Sequence, residues 1–331
     1  MSGISGMSRR ARLFWHYWER IGILAVLLLT LAIFALLTPG IFTVNNLLTV
    51  LSRSAIVGIP AMGMTFAICA GGFDLSVGSI VGLSTCVWAA NLPAIGIIPA
   101  TLLTLAVGCA CGLLNGLAIA KLKIQTFVAT LAMNMIFRGS ALVYTDGSKQ
   151  MISRSENIEA KIFSQNFNIA GLQVQLTPLL LMAAVFAGGY FVYRFTRFGV
   201  YARSIGSNEL SARTSGVPAD RTIIFVFILT GATASISALI TASQLMQGAA
   251  TFGVGFELDV ITAAILGGTS LSGGKGNIWG SLIAAVMLTL ARNGLNILGL
   301  PEEHQRLAIG VILLLSLTVS GVRELMKEAS Q

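Results

Sequence analysis

Asp74 is the first acidic residue after Glu19, and it stands in AGGFDLSVGS, residues 70–79, between almost wholly apolar stretches at 54–69 and 80–90. A carboxylate accepts hydrogen bonds strongly and donates none. In such surroundings Asp74, with Ser76, can either cap the next helix or hold a polar group in a translocation path or inner gate. Asn115 and Asn134 raise the same question, because an amide in hydrocarbon must find a partner on a neighbouring helix or an aqueous path. Glu257 and Asp259 in GVGFELD stand where a further apolar stretch begins, on the expected outer face, either as first-turn acids of a helix or as groups that meet an arriving solute or protein. Asn208, Glu209, Arg213 and Gly216 mark a short helix with a start and a stop inside a basic loop. No catalytic constellation accompanies them. His16 and His304 lie in the two flanks, no H-E-x-x-H or G-x-x-x-x-G-K-[ST] pattern occurs, and SGGKGN lacks both the spacing and the hydroxyl of a phosphate loop. Catalytic and metal sites are therefore assigned to no residue.

These residues sit in a chain built for lipid. Its 331 residues are 55% hydrophobic and only 10% charged, with 36 glycines, whereas soluble domains carry about a quarter charged residues. Apolar stretches predict ten spans, at 21–38, 54–70, 76–92, 96–118, 124–145, 176–193, 222–244, 258–270, 277–297 and 305–322. The eighth is short and is expected to be tilted, broken or re-entrant. The predicted class is an all-α polytopic membrane protein with a single transmembrane domain over 21–322. A basic segment (1–20) and a tail (323–331) flank it, and its two long loops are 146–175 outside and 194–221 inside.

The net charge of +8 reports orientation and not a nucleic-acid partner. Ten spans put both termini on one side. If that side is cytoplasmic, fourteen of the 21 lysines and arginines fall inside and seven fall outside or at outer span ends. The start lacks a small-residue cleavage site, so 21–38 reads as a signal anchor. Cys69, Cys86, Cys109 and Cys111 fall in apolar spans as small packing residues, not as a disulfide framework or metal cluster.

Glycine punctuates the spans. GLLNGLAIA and VGCACGLLNG carry small residues at helical spacing, which lets helices approach closely. GGFDLSVG, from Gly71 and Gly72, and GGTSLSGG, from Gly267 and Gly268, share GG-x-x-L-S-x-G. Each ends one apolar stretch and opens the next on the cytoplasmic side, so the match is no sign of an inverted repeat. In the loop 194–221, Asn208 caps two helical turns over Glu209–Thr214, and Gly216 then Pro218 stop them. A short helix there has no folding role in the bilayer and is a candidate docking element for a cytoplasmic partner.

Several separated blocks carry a resemblance: AMGMTFAICAGGFDLSVGSIVGL, LKIQTFVATLAM, RFGVYARSIGSNELSARTSGV, FELDVITAAILGGTSLSGGKG and NGLNILGL. In this order, from about residue 40 to 320, the chain resembles the permeases of ribose-type sugar ABC importers. The resemblance implies two structurally related halves of inverted topology, location in the bacterial inner membrane, and a permease dimer. It also implies a cytoplasmic ATPase partner with two nucleotide-binding modules that holds ATP and magnesium, and a periplasmic sugar-binding protein; the permease itself carries no cofactor. The family's coupling helix maps onto Asn208 to Gly216. SNELSAR departs from the usual GNxxAAR at Ser207 and Ser211, and Phe73 stands where isoleucine is common. The implied cargo is a monosaccharide, ribose first, with allose, xylose, arabinose or galactose as alternatives. An ion-coupled secondary transporter would need charged groups near the midplane, and Asp74, Asp259, Arg138 and Arg292 are all expected toward span ends. An open channel would need a selectivity ring and no docking helix.

Overall fold

The computed structural model describes residues 38, 40–153, 157–169 and 171–301, with scattered positions up to 314. The expected spans 21–38 and 305–322 and both terminal segments lie outside the described residues, save for isolated positions. Ten helices are described. They are α1 (Val44–Cys69), α2 (Val77–Ile95), α3 (Ile97–Ala120), α4 (Thr126–Tyr144), α5 (Leu176–Phe195), α6 (Arg197–Ser207), α7 (Glu209–Thr214), α8 (Ala219–Leu245), α9 (Phe256–Leu266) and α10 (Ile278–Ile297). Seven of them, α1 to α5, α8 and α10, are long and apolar enough to cross a membrane. Each coincides with an expected span, although α1 begins ten residues before the predicted 54.

Three helices form the buried centre. The apolar windows of α1, α2 and α8 are 67%, 72% and 67% buried, against 22% for α4 and 28% for α3 and α5, which present their flanks outward. Leu102, Leu114, Val128, Met135 and Leu180 are among the exposed apolar residues on those flanks, as suits a surface that meets lipid or another subunit. The α3–α8 contact is the most extensive in the bundle. Gly108, Gly112 and Gly116, four residues apart, form one face of α3 against Gly231, Phe227 and Ile224 of α8, and a Cβ on Gly112 would run into the Phe227 carbonyl. With no hydrophobic force between helix and lipid, such close backbone approach supplies the attraction.

Three helix ends converge at one pole of the bundle. The Gly274 amide donates to the Cys69 carbonyl at 2.8 Å, and Gly206 lies so close to both that any side chain there would collide with backbone. This pole therefore gathers the end of α1, the end of α6 and the loop before α10. The GGFDLSVG and GGTSLSGG segments leave helices at this same pole, but their similarity is not a structural repeat. Gly71 and Gly268 carry the positive φ, +89° and +94°, and they occupy the first and second positions of the shared pattern. Both close a helix in the same way, through Gly72 N–H to the Ala67 carbonyl and Thr269 N–H to the Ala264 carbonyl.

The opposite pole carries a small cap from the 146–175 loop. Its strand β1 (Gln150–Met151) pairs antiparallel with β4 (Gln247–Gly248), and β2 (Phe167–Ile169) pairs with β3 (Leu172–Val174). A 3₁₀ turn, Ile158–Phe163, anchors the cap: Ser243 donates to the Ala160 carbonyl at 2.6 Å, and Phe163 meets Trp88 edge-on at 5.9 Å.

Candidate functional site

The Asp74 break is a recessed and sealed part of the bundle. α2 has 19 residues and α3 has 24, joined at Gly96; at about 1.5 Å per residue, α2 starts roughly 7 Å short of the far end of α3. Residues 70–76 fill that gap. Asp74, Ser76 and Asn115 are each fully buried, and the structure brings them together. Asp74 Oδ1 accepts from the Ser76 amide at 2.9 Å, the Ser76 hydroxyl at 2.6 Å and Asn115 Nδ2 at 3.4 Å. Asn115 Nδ2 also donates to Ser76 Oγ at 2.7 Å, and Thr230 of α8 donates to Asp74 Oδ2 at 2.5 Å. The carboxylate therefore ties the start of α2 to α3 and α8. Ser76 is the N-cap residue of α2 and its own side chain makes no cap bond, which corrects capping by Ser76. Asp74 instead accepts from the N-cap residue itself, because the extended break turns the carboxylate sideways into the helix junction.

Asn134 does not join this network. It is half-buried on α4, in a polar row with four-residue spacing, Thr126, Thr130, Asn134 and Arg138, which lie on one helix face. Thr130 donates to the Phe73 carbonyl at 3.2 Å. Arg138 donates through Nη1 to the Ala250 carbonyl and, at 2.6 Å, to the Phe252 carbonyl.

Those carbonyls belong to a second interrupted segment, and it overturns the expected outer-face position of Glu257. After α8 ends at Met246, in the left-handed conformation, the chain does not start a new span at the surface. It runs back along α2 toward the Asp74 break: Gly248 lies against Thr85, Ala250 and Phe252 against Gly82, and Gly253 against Gly78. Glu257 then lies beside Gly78, the second residue of α2, and so at the α2 end opened by the break. Non-helical backbone is tolerated at that depth because it is buried against protein and its carbonyls are met by Arg138. α9 follows with only 11 residues, about 16 Å at helical rise, so the short eighth span is broken: residues 246–255 descend from the capped pole without helix, and α9 completes the crossing to Gly267. Asp259, on the first turn of α9, pairs with Arg292 at 2.5 Å, its side chain 13% exposed. Arg292 lies fourteen residues into α10, about 21 Å from its start. Arg292 thus stands five residues before the end of α10, Arg138 six before the end of α4 and Asp259 fourth in α9, so all three lie toward helix ends as expected, held there by protein partners.

The loop between α5 and α8 holds the third site. α7 spans Glu209–Thr214 as its sequence predicts, with Asn208 Oδ1 accepting from the Ser211 amide at 2.9 Å and Gly216 at φ +82° after it. Arg213 bonds Glu209 at 2.7 Å and Asp220 at 2.6 Å, and Asp220 also receives Lys121 at 3.2 Å and Lys123 at 3.0 Å. Asp220, then Glu209, hold the Arg213 guanidinium above its ordinary range. Exposed pairs of this kind add little stability, but together they fix α7 against the ends of α3 and α8. Leu210 faces outward from it, 74% exposed. Behind α7, Tyr193 ties the pole together: its hydroxyl accepts from the Gly276 amide at 2.8 Å, and Arg203 lies 4.8 Å above its ring.

Thr230, Asp220 and Tyr193 had not been singled out from sequence. Thr230 shows only as one hydroxyl in an apolar span, Asp220 as one acid in a basic loop. The four-residue polar row on α4 was the one legible signal for Arg138.

Among the described residues no group of three or more histidines, cysteines or acids could hold a metal ion. Comparison with known proteins gives the family. Residues 46–317 match the model described as "Branched-chain amino acid transport system / permease component". The Ribose import permease protein RbsC of Escherichia coli K12 is 39% identical over 303 residues, 91% of this chain and 93% of that protein. The D-allose transport system permease protein AlsC of the same organism is 32% identical over 302 residues, covering 90% of each. The L-arabinose ABC transporter permease protein AraH of Azospirillum brasilense is 32% identical over 321 residues, 95% of this chain and 91% of that protein. No solved structure matches. Seven apolar helices and these matches over most of its length agree, and the chain belongs to this transport-system permease family, in its ribose-type sugar ABC branch.

Proposed function

We propose that the chain is the membrane-spanning subunit of an ATP-driven, binding-protein-dependent importer that carries a monosaccharide inward. D-ribose is the first choice of cargo, with allose, xylose, arabinose or galactose behind it. Its partners in this reading are a second permease copy, a cytoplasmic ATPase with two nucleotide-binding modules and a periplasmic sugar-binding protein, and ATP and magnesium stay on the ATPase. The observation that carries the reading is α7: a capped two-turn helix, held by Arg213 and Asp220 on the bundle, that turns Leu210 outward at the pole where the breaks converge. Closure of the ATPase pair would push α7. Because α7 is braced on the ends of α3 and α8, the push would reach the Asp74 junction between those helices and the recessed start of α2. Asp74, Ser76 and Asn115 act as the lock of that junction, while the polar row on α4 and the descending segment 247–256 adjoin the path. The test is assembly: the ATPase should co-purify with the permease, and sugar-loaded binding protein should stimulate its turnover only when the permease is present. An ATPase that ignores the permease would remove the reading.

An ion-coupled secondary transporter is the second reading, and the inward-lying Asp259–Arg292 pair is what favours it. Uptake driven by an ion gradient without ATP would select it.

A further inference from the structure

Glu257 is an unusual residue for this fold to place where it does. Its Oε2 is buried and takes no hydrogen bond, although a buried carboxylate oxygen without a donor is costly. Arg138 is the cation that bears on it, yet among the described residues no ion pair joins the two. Arg138 spends Nη1 on the Ala250 and Phe252 carbonyls, which holds its guanidinium against the descending segment. Gly78 and Gly82 of α2 face Glu257 and Arg138 respectively, and any side chain at either would collide with them. Asn134 lies one turn from Arg138 on the same face of α4. On the outward side, Val254 and Leu258 are 57% and 55% exposed, so this chain does not cover the segment from outside. An acceptor with no donor, a guanidinium held nearby and an amide one turn away thus meet inside the membrane, beside a broken span.

We propose that Glu257 and Arg138, with Asn134, form a waypoint that binds the hydroxyls of a monosaccharide in transit. Adjacent hydroxyls suit this arrangement, because one donates to the Glu257 carboxylate while its neighbour accepts from the Arg138 guanidinium. A polyol meets both needs and an apolar solute meets neither; a zwitterionic amino acid would also pair with both charges, so the choice of a sugar comes from the importer reading. In the structure the acceptor is closed off by Gly78, so the waypoint is formed when α2 and the segment 247–256 separate. Weak binding suffices, since a tight site here would slow release. The proposal rests on the importer reading and adds to it the groups that touch the cargo.

The test is the ratio of D-ribose taken up to ATP hydrolysed, in proteoliposomes that hold the permease and its ATPase and receive D-ribose from the binding protein. Counts are normalised to permease that co-purifies with the ATPase, so that loss of protein does not enter. Glu257→Gln should leave assembly and binding-protein-stimulated ATP hydrolysis near wild type while uptake per ATP falls about tenfold. Glu257→Asp, which keeps the carboxylate one methylene back, should fall between the two. Arg138→Lys should act in the same direction as Glu257→Gln. Wild-type uptake per ATP in Glu257→Gln overturns the waypoint and leaves the importer standing. Absence of ATP-driven uptake by the wild-type protein, with D-ribose, D-allose and L-arabinose alike, overturns both.

Discussion

Asp74→Ala and Asp74→Asn should separate sharply, because the carboxylate ties a helix junction. Alanine removes the acceptor for the Ser76 amide, the Ser76 hydroxyl and one hydrogen of Asn115 Nδ2, all fully buried. At about 1–3 kcal/mol for each stranded buried donor, the cost is roughly 3–9 kcal/mol. Thr230 adds little to this, since its hydroxyl is also 2.8 Å from the Phe227 carbonyl and can turn wholly to it. Asparagine keeps an oxygen toward Ser76 and Asn115, and its amide can donate to Thr230 Oγ1 once that proton points at Phe227. It also removes the cost of burying a charge, so its net effect is expected within about 1 kcal/mol of wild type. Membrane abundance and the thermal midpoint of the detergent-extracted protein read the difference. Asp74→Ala should be depleted and unstable, and Asp74→Asn should be abundant and transport-competent. An Asp74→Asn protein that is abundant, binds the ATPase and yet takes up no sugar would refute the lock and return Asp74 to the path.

Gly112→Leu should cost at least the roughly 1–3 kcal/mol of an overpacked core, because the new side chain meets the Phe227 backbone, and it should lower the thermal midpoint of the extracted protein. Leu210→Asp should weaken ATPase co-purification about tenfold or more without changing permease abundance, since truncating an apolar anchor at a contact costs more than altering its polar rim; unchanged co-purification would clear α7 of docking. Asp259→Asn should destabilise by less than the roughly 3–5 kcal/mol of a fully buried broken pair, because Arg292 is partly exposed, and a second change, Arg292→Leu, should recover part of the loss. Glu257→Cys, in a chain without its four native cysteines, should resist an impermeant thiol reagent from the outer side in the resting state; rapid labelling there would restore it to the outer face.

Hydropathy located the helices well because it needs only local composition. α2, α3, α5 and α10 begin within a residue of the predicted spans, and α7 follows from Asn208, Gly216 and Pro218 alone. What composition could not show was depth. Residues 246–256 are small and apolar, and a chain of that kind reads alike whether it turns at a surface or runs back inside along Gly82 and Gly78. Glu257 and Asp259 were misplaced for that reason. Arg138 and Arg292 stand six and five residues before the ends of α4 and α10, as expected, but their partners, the Ala250 and Phe252 carbonyls and Asp259, could not be read locally. The Asp74 junction was half legible: the polar break announced itself, but Thr230 is 156 residues away, and no local pattern pairs the two. The family resemblance reached the function that these residues alone left open among three kinds of transport.

Sugar uptake by purified permease in proteoliposomes tests the central claim most directly, with the energy source as the only variable. Permease reconstituted with its ATPase, with ATP on the ATPase side and sugar-loaded binding protein on the other, should accumulate D-ribose or one of its alternatives. Uptake should stop when ATP is replaced by a non-hydrolysable analogue and persist when ionophores collapse every ion gradient. Accumulation that survives without ATP, or that the ionophores abolish, would contradict the account.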